Sequence, residues 1–304
     1  MTENQNENIQ ITLKGFSGNK VQVIRSGKKT LVRKTAHDIS HNDRIQKEIE
    51  KMKVLSEISE SSSDFKIPTI QSVRENEDGL MSYDLDFIPG ESLDHCTYKL
   101  NSEKIKFFAK KLGNVIETIS KTSVTSKTNN QDFILQKFNE LTIELDRNKD
   151  CTNLLTELFN EYKQKLEDID ITKIDNKNKP TFCHGDLSLD NIIITRQNQM
   201  YLIDPLYNDF ENLMWDYAKV LQSSMTHWNL IKDNNFQIIS DKRKIKVKPN
   251  EHVMMFHRHF VENITIGNPS EVIIYLASTL ARVAKYAKNE KRLCALLILI
   301  IELL

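Results

Sequence analysis

The sequence predicts an α+β fold, with a small antiparallel sheet and one helix near the N-terminus and a larger, mainly helical remainder. Short runs rich in β-branched residues occur at Ile9–Leu13, Lys20–Ile24 and Thr30–Lys34, and tight turns separate them. From Ser102 to about Asp170, apolar residues recur at helical intervals instead. The change of period along the chain therefore indicates a strand-rich beginning and a helical body.

The first two strands enclose a turn that contains Gly15, Ser17 and Gly18. Small residues at such a turn let backbone N–H groups approach phosphate oxygens, which larger side chains would obstruct. Many hairpin tips carry two glycines without binding any ligand. The turn is therefore a candidate phosphate loop with an ordinary hairpin as its alternative.

The third strand and the following helix carry a second pair of candidates. Val32 and Lys34 share one face of the strand because side chains alternate with a period of two. Glu48 and Glu50 point well apart on a helix, so only one of them can face that strand. The apolar positions of this helix recur at Ile45, Ile49, Met52 and Leu55. Its N-terminus would be capped by Asn42 or Asp43.

Composition excludes several classes of protein. The 304 residues contain 42 Lys plus Arg and 42 Asp plus Glu, so no net charge favours nucleic acid or an acidic membrane. Four scattered cysteines without a C-x-x-C pair argue against a disulfide framework or a structural zinc site. The polar start predicts no secretory signal, and the apolar run Leu293–Leu304 is too short for a membrane span. We therefore expect a cytoplasmic protein; the sequence does not indicate its oligomeric state.

The most informative stretch runs from His184 through Asp186 and Asn191 to Asp204. Apolar strands follow Asn191 and precede Asp204, so a hairpin would return the second acidic residue opposite the first loop. In phosphoryl transfer, one aspartate accepts the proton of the attacking hydroxyl, while an asparagine and a second aspartate bind magnesium. The spacing therefore predicts Asp186 as the base and Asn191 and Asp204 as metal ligands.

This loop resembles that of the aminoglycoside phosphotransferase and choline kinase-like family of the protein-kinase-like superfamily. The resemblance covers most of the chain and is strongest from Thr181 to Gln222. It implies a bilobal protein-kinase-like fold, with a nucleotide-binding lobe at residues 1–88 and a catalytic and acceptor-binding lobe at residues 89–304. It also implies ATP and Mg²⁺ as cofactors and a small-molecule hydroxyl as acceptor.

The same resemblance assigns roles to residues near the nucleotide. It implies that Lys34 binds the α- and β-phosphates and pairs with Glu48; a solvated Lys34 is the alternative, and Glu50 is the competing partner. It also implies a hinge at Asp86, Phe87 and Ile88, whose main-chain groups would bind adenine. A plain turn at the Pro-Gly pair after these residues, ending a strand, is the alternative for that segment.

Two further residues are implied to support the loop. His184 would be structural, and Asp216 would accept hydrogen bonds from the loop backbone. An acidic residue in the first turn of a helix also favours the helix dipole, so Asp216 has a second explanation. Ser188 stands where protein kinases have a lysine, and no long peptide-binding segment follows Asp204. Both features favour a small-molecule acceptor.

From Pro205 to the end, basic residues slightly outnumber acidic ones, which favours neutral or anionic acceptors such as sugars over polycations. The tripeptide Ile203–Asp204–Pro205 is similar to phosphotransferases of bacterial surface-sugar pathways. The leading hypothesis is thus a sugar kinase. Its alternatives are a choline-, ethanolamine- or aminoglycoside-type kinase, or a nucleotide-binding pseudokinase that acts as an interaction module.

Overall fold

The computed structural model divides into two compact units. Unit 1 comprises Met1–Ser92 and Asn191–Tyr207, and unit 2 comprises Leu93–Asp190 and Asn208–Leu304. The residues that the structure describes are 7–14, 18–124, 129–147, 152–174, 180–207, 211–264 and 269–304. Unit 1 thus includes a segment from the middle of the chain. A division into lobes at residue 88 stays a prediction.

An antiparallel sheet of five strands forms most of unit 1, in the order β1-β2-β3-β5-β4. Its strands are β1 (Glu7–Lys14), β2 (Lys20–Ser26), β3 (Lys29–Thr35), β4 (Ile70–Glu75) and β5 (Met81–Asp86). Val32 pairs with Leu85 and Lys34 with Tyr83 in the β3–β5 register. The predicted fold class, with its N-terminal antiparallel sheet, is confirmed.

Helix α1 (Asn42–Glu60) buries the predicted apolar face, including Ile45 and Leu55. The expected cap is wrong: Asn42 is the first helical residue, and His41 precedes it without a side-chain cap. The Asn42 side chain donates to the Gly79 carbonyl and accepts from the Met81 amide, each at 2.8 Å. Asn42 therefore fixes the start of α1 to β5, because a tertiary partner was available in place of the local one.

A second, smaller sheet of unit 1 joins its two chain segments, Met1–Ser92 and Asn191–Tyr207. Its strands are β6 (Gly90–Ser92), β7 (Ile192–Thr195) and β8 (Met200–Leu202). Gly90 pairs with Thr195, and a Cβ atom on Gly90 would lie 2.6 Å from the Ile194 carbonyl oxygen. Only glycine allows β6 to approach β7 so closely.

Unit 2 is mainly helical, as predicted. Its helices are α2 (Leu93–Thr97), α3 (Ser102–Ser120), α4 (Asn130–Arg147), α5 (Asn153–Asp168), α6 (Leu213–Ser224), α7 (Trp228–Lys232), α8 (Glu251–Glu262), α9 (Pro269–Ala284) and α10 (Glu290–Leu303), with a hairpin of β9 (Gln237–Ile239) and β10 (Lys244–Lys246). Asparagine side chains cap several of them, for example Asn101 at α3 and Asn212 at α6.

Helix α6 packs on α9, α3 and α8, and its Trp215 is fully buried. Most of the apolar run Leu293–Leu304 lies in helix α10, and its apolar side chains are largely buried. Within the part of the chain that the structure describes, no helix is both long and apolar enough to cross a membrane.

Candidate active site

In unit 1, Lys34 contacts two carboxylates. Its Nζ atom lies 2.6 Å from Oε1 of Glu48 and 3.2 Å from Oδ1 of Asp204. Lys34 and Glu48 are buried, whereas the Asp204 side chain is 50% exposed. Glu50 is exposed on another face of α1 and accepts a hydrogen bond from Gln46. Strand β3, helix α1 and the segment after β8 thus bring together three of the predicted residues.

A tyrosine that the sequence analysis missed completes this cluster. The Tyr83 hydroxyl donates to Oε1 of Glu48 at 2.6 Å. Burial raises the pKa of Glu48, and the Lys34 ammonium opposes that shift. Burial would lower the pKa of Lys34, but Asp204 and Glu48 outweigh it and raise that pKa. Lys34 therefore stays a cation at neutral pH, and its ammonium group is fixed by the ion pair with Glu48.

Asp204 lies in an unusual backbone conformation with a φ of 55°. The left-handed region costs a residue other than glycine on the order of 1 kcal/mol. Neighbouring contacts hold the segment: the Ile203 amide donates to the Asn191 carbonyl at 3.0 Å, and Nζ of Lys51 donates to the Leu206 carbonyl at 2.9 Å. The two predicted metal ligands therefore lie on adjacent, hydrogen-bonded stretches of backbone.

Asn191 and Asp204 offer an amide oxygen and a carboxylate, which are the hard oxygen donors that Mg²⁺ takes. Among the described residues, no group of three or more His, Cys, Asp or Glu side chains is arranged to hold a metal ion. A site with one carboxylate and one amide fits a magnesium ion whose remaining ligands are phosphate oxygens and water. It does not fit a metal held by protein ligands alone.

At the predicted hinge, the Asp86 amide donates to the Thr69 carbonyl and the Phe87 amide to the Thr30 carbonyl, so the sheet already uses both. Ile88 follows β5, and its amide makes no backbone hydrogen bond among the described residues. Of the three predicted hinge amides, that of Ile88 is thus the one left without a backbone acceptor in the described part of the chain.

The glycine turn is described in part. Gly15 and Ser17 lie outside the described residues, while Gly18 has a φ of 79°, and a Cβ atom on it would have no neighbour within 4 Å among the described residues. Beside it, the buried Asn19 accepts from the His37 amide through Oδ1. Its Nδ2 atom has no hydrogen-bond partner within the described ranges. A buried donor of this kind costs about 1–3 kcal/mol until an acceptor reaches it.

In unit 2, Asp186 contacts two cations. Its Oδ1 atom lies 2.8 Å from Nζ of Lys219 and 3.5 Å from Nη2 of Arg282, and its side chain is 29% exposed. Burial alone would raise the pKa of the carboxyl, but Lys219 and Arg282 lower it to about 2. Asp186 is therefore ionised at neutral pH and able to accept a hydrogen bond from a hydroxyl.

The backbone of the Asp186 loop is held by buried groups of α6. Asp216 accepts from the His184 amide at 2.6 Å and from the Gly185 amide at 2.8 Å. Nε1 of Trp215 donates to the Gly185 carbonyl at 2.8 Å. His184 is fully buried, and Gly185 has a φ of 85°, which favours glycine. These bonds fix the turn from which the Asp186 side chain projects.

Sequence reasoning missed Lys219 and Arg282. Lys219 lies three residues after Asp216 in an otherwise apolar stretch of α6, and a charge in that setting was a usable signal. Arg282 comes from α9, far along the chain, and no local pattern connects it to Asp186.

The sheet with its ion-paired lysine and the loop with its ionised aspartate indicate the class of protein, a kinase-like phosphotransferase of the protein-kinase-like superfamily. A sequence model described as "Phosphotransferase enzyme family" matches residues 9–237. The chain therefore belongs to this family and is a small-molecule kinase whose acceptor is an alcohol group. No curated protein matches the sequence.

Solved structures show the same fold at low sequence identity. The GDP complex of a point mutant of an aminoglycoside 2'-phosphotransferase IIIa is 17% identical, with a TM-score of 0.63 and coverage of 97% of this chain and 92% of that one. A ternary complex of streptomycin, ATP and APH(2'')-IIa is 15% identical, with a TM-score of 0.57 and coverage of 94% and 88%. APH(3'')-Id from Streptomyces rimosus is 13% identical, with a TM-score of 0.53 and coverage of 90% and 92%.

Proposed function

We propose that the protein transfers the γ-phosphate of ATP, with Mg²⁺, to a hydroxyl of a sugar or sugar derivative, in the manner of surface-polysaccharide pathways. The observation that carries the proposal is the contact of Lys34 with both Glu48 and Asp204. A lysine held by a buried glutamate can bind phosphate oxygens, and a half-exposed carboxylate beside it can bind the accompanying metal. Among the similar structures one holds ATP and another holds GDP, so ATP is a nucleotide that this fold accepts.

The nucleotide roles follow from the contacts of unit 1. Lys34 would bind the α- and β-phosphates, the turn with Gly18 would cover phosphate oxygens, and the Ile88 amide would bind the adenine edge. Asn191 and Asp204 would hold Mg²⁺, which supplies positive charge to the phosphates when bound. The side-chain Nδ2 of Asn19, which has no hydrogen-bond acceptor among the described residues, gives a further donor that suits an anion. We also propose a cytoplasmic location, because the reaction consumes ATP.

Asp186 is the residue that would activate the hydroxyl of the acceptor molecule. Its carboxylate would accept the proton of the acceptor hydroxyl as the new O–P bond forms. Lys219 and Arg282 lie beside it, and a polycationic acceptor would be repelled there. Neutral or anionic sugars meet no such penalty, and for this reason we place them ahead of aminoglycosides and aminoalcohols.

The proposal is tested by Asp186→Asn in an ADP-formation assay with sugars, sugar acids, aminoalcohols, nucleosides and aminoglycosides. The asparagine is isosteric and can still bind a hydroxyl, but it cannot accept the proton. We expect kcat to fall by about 10²- to 10⁴-fold, while calorimetry shows Mg-ATP binding unchanged. Asp190→Asn, on the same loop but paired with Lys232, is the matched control and should keep most of its kcat.

Two outcomes would contradict the proposal. If the wild-type protein binds Mg-ATP but phosphorylates none of these compounds, a nucleotide-binding pseudokinase becomes the better explanation. If Asp186→Asn keeps the wild-type kcat, Asp186 is a turn residue and the base must be another carboxylate.

A further inference from the structure

Helix α6 directs three polar side chains at the loop that carries Asp186. Asp216 accepts from two loop amides, Nζ of Lys219 contacts Asp186, and Oγ of Ser223 accepts from the Leu189 amide at 3.2 Å. Spacings of three and four residues place these side chains on one face of the helix. Asp216 and Ser223 bind backbone, so only Lys219 reaches a reactive side chain.

The burial of Lys219 is not explained by stability. Its side chain is 5% exposed, and its contacts are Oδ1 of Asp186 at 2.8 Å and Oε1 of Gln222 at 2.9 Å. Removing an ammonium group from water costs several kcal/mol, and apolar replacements of buried ion pairs are often neutral or stabilising. The pairing also lowers the basicity of Asp186, which opposes its role as a proton acceptor. A functional gain must therefore offset both effects.

The reaction supplies such a gain. In a loose phosphoryl-transfer transition state, most of the stabilisation comes from cations near the transferred group and little from a strong base. A hydroxyl bound to Asp186 lies about 3 Å from the carboxylate, and the phosphorus about 3 Å further on. An ammonium group in contact with Asp186 reaches that phosphoryl group if it lies on the side of the carboxylate where the acceptor binds. The loop itself offers no such cation, since Ser188 stands two residues after Asp186.

We propose that Lys219 is a further catalytic residue, whose ammonium contacts both Asp186 and the phosphoryl group in transit; this rests on the proposed function. The acceptor oxygen forms a bond to phosphorus, the bond from phosphorus to the ADP oxygen breaks, and the hydroxyl proton passes to Asp186. Lys219 keeps its protons throughout. Its positive charge stabilises the phosphoryl oxygens and orients the carboxylate.

The first test compares Lys219→Met and Lys219→Arg with Lys285→Met. Lys285 is the matched control, because it also forms a 2.8 Å ion pair in unit 2, but with Glu140 and not with Asp186. We expect Lys219→Met to lose about 10²- to 10³-fold in kcat with the KM for ATP within about threefold. Lys219→Arg should keep most of the activity, and Lys285→Met all of it. A Lys219→Met variant with near wild-type kcat would overturn the proposal.

The second test moves the cation. Adding Ser188→Lys to Lys219→Met returns an ammonium group to the loop, and we expect at least about tenfold recovery of kcat. A purely structural Lys219 would not be rescued from another position, so no recovery would count against the catalytic role.

A third measurement needs no variant that might fail to fold. With the wild-type protein, the ¹⁵Nζ resonance of Lys219 should shift when ADP, Mg²⁺ and aluminium fluoride are added together, and not with ADP alone. An unchanged resonance would overturn the contact with the phosphoryl group. Absence of any wild-type turnover would instead refute the proposed function, so the two failures are distinguishable.

Discussion

Replacing Glu48 with alanine removes the one carboxylate that both Lys34 and Tyr83 contact at 2.6 Å. Lys34 keeps Asp204 at 3.2 Å, but that side chain is half exposed and cannot replace a buried partner. The Tyr83 hydroxyl loses its acceptor inside the unit. The substitution therefore leaves a buried cation and a buried donor incompletely compensated.

The size of the effect follows from this geometry. Removing one partner of a buried ion pair costs about 3–5 kcal/mol, and the remaining Asp204 contact places Glu48→Ala near the lower end. A loss of about 3 kcal/mol is on the order of a hundredfold in the unfolding equilibrium. Lys34 also loses its fixed position, so kcat/KM for ATP should fall by at least a similar factor.

Glu50→Ala is the matched control, because it makes the same substitution on the same helix and shares the same change in helix propensity. Glu50 is exposed and accepts one hydrogen bond, from Gln46, so its loss should cost less than about 0.5 kcal/mol. Urea unfolding followed by circular dichroism gives both free energies. Equal losses for the two variants, or a larger loss for Glu50→Ala, would refute the reasoning about which face of α1 meets Lys34.

Two other substitutions test separate groups. Asp204→Asn should abolish turnover and weaken Mg-ATP binding, because a neutral amide is a poor magnesium ligand; unchanged affinity by calorimetry would contradict this. Asp94 is buried, and desolvation raises its pKa to about 6. The contribution of its protonated form to the free energy of unfolding is therefore complete below pH 4 and is lost as the pH rises through 6. Asp94→Asn should therefore stabilise the protein at pH 8, by up to about 3 kcal/mol, and not at pH 4. An equal change in Tm at both pH values would show that burial of the charge is not the cause.

Local patterns predicted the parts of the structure that are locally determined. The period of two placed Lys34 beside Val32 on β3, and helical spacing showed that only one of Glu48 and Glu50 could face that strand, because each depends on a few neighbouring residues. The choice of Glu48 came from the family resemblance. The contacts of Lys219 and Arg282 with Asp186 depend on how α6 and α9 pack. No periodicity encodes such packing, and the helix signal at Asn42 was misread for the same reason.

Unit 1 is built from two separate segments of the chain, and this affects the order in which it can fold during synthesis. Strand β6 ends at Ser92, but β7 and β8, with the segment up to Tyr207, are synthesised about 115 residues later. At roughly 5–20 residues per second, the ribosome takes on the order of 6–23 s to add them. During that time β6 lacks its partner strand, and Lys34 and Glu48 lack Asp204. The five-stranded sheet needs no later residue, but the smaller sheet and the Lys34 cluster stay incomplete until the segment up to Tyr207 has been made, so a fragment that stops at residue 92 would lack both.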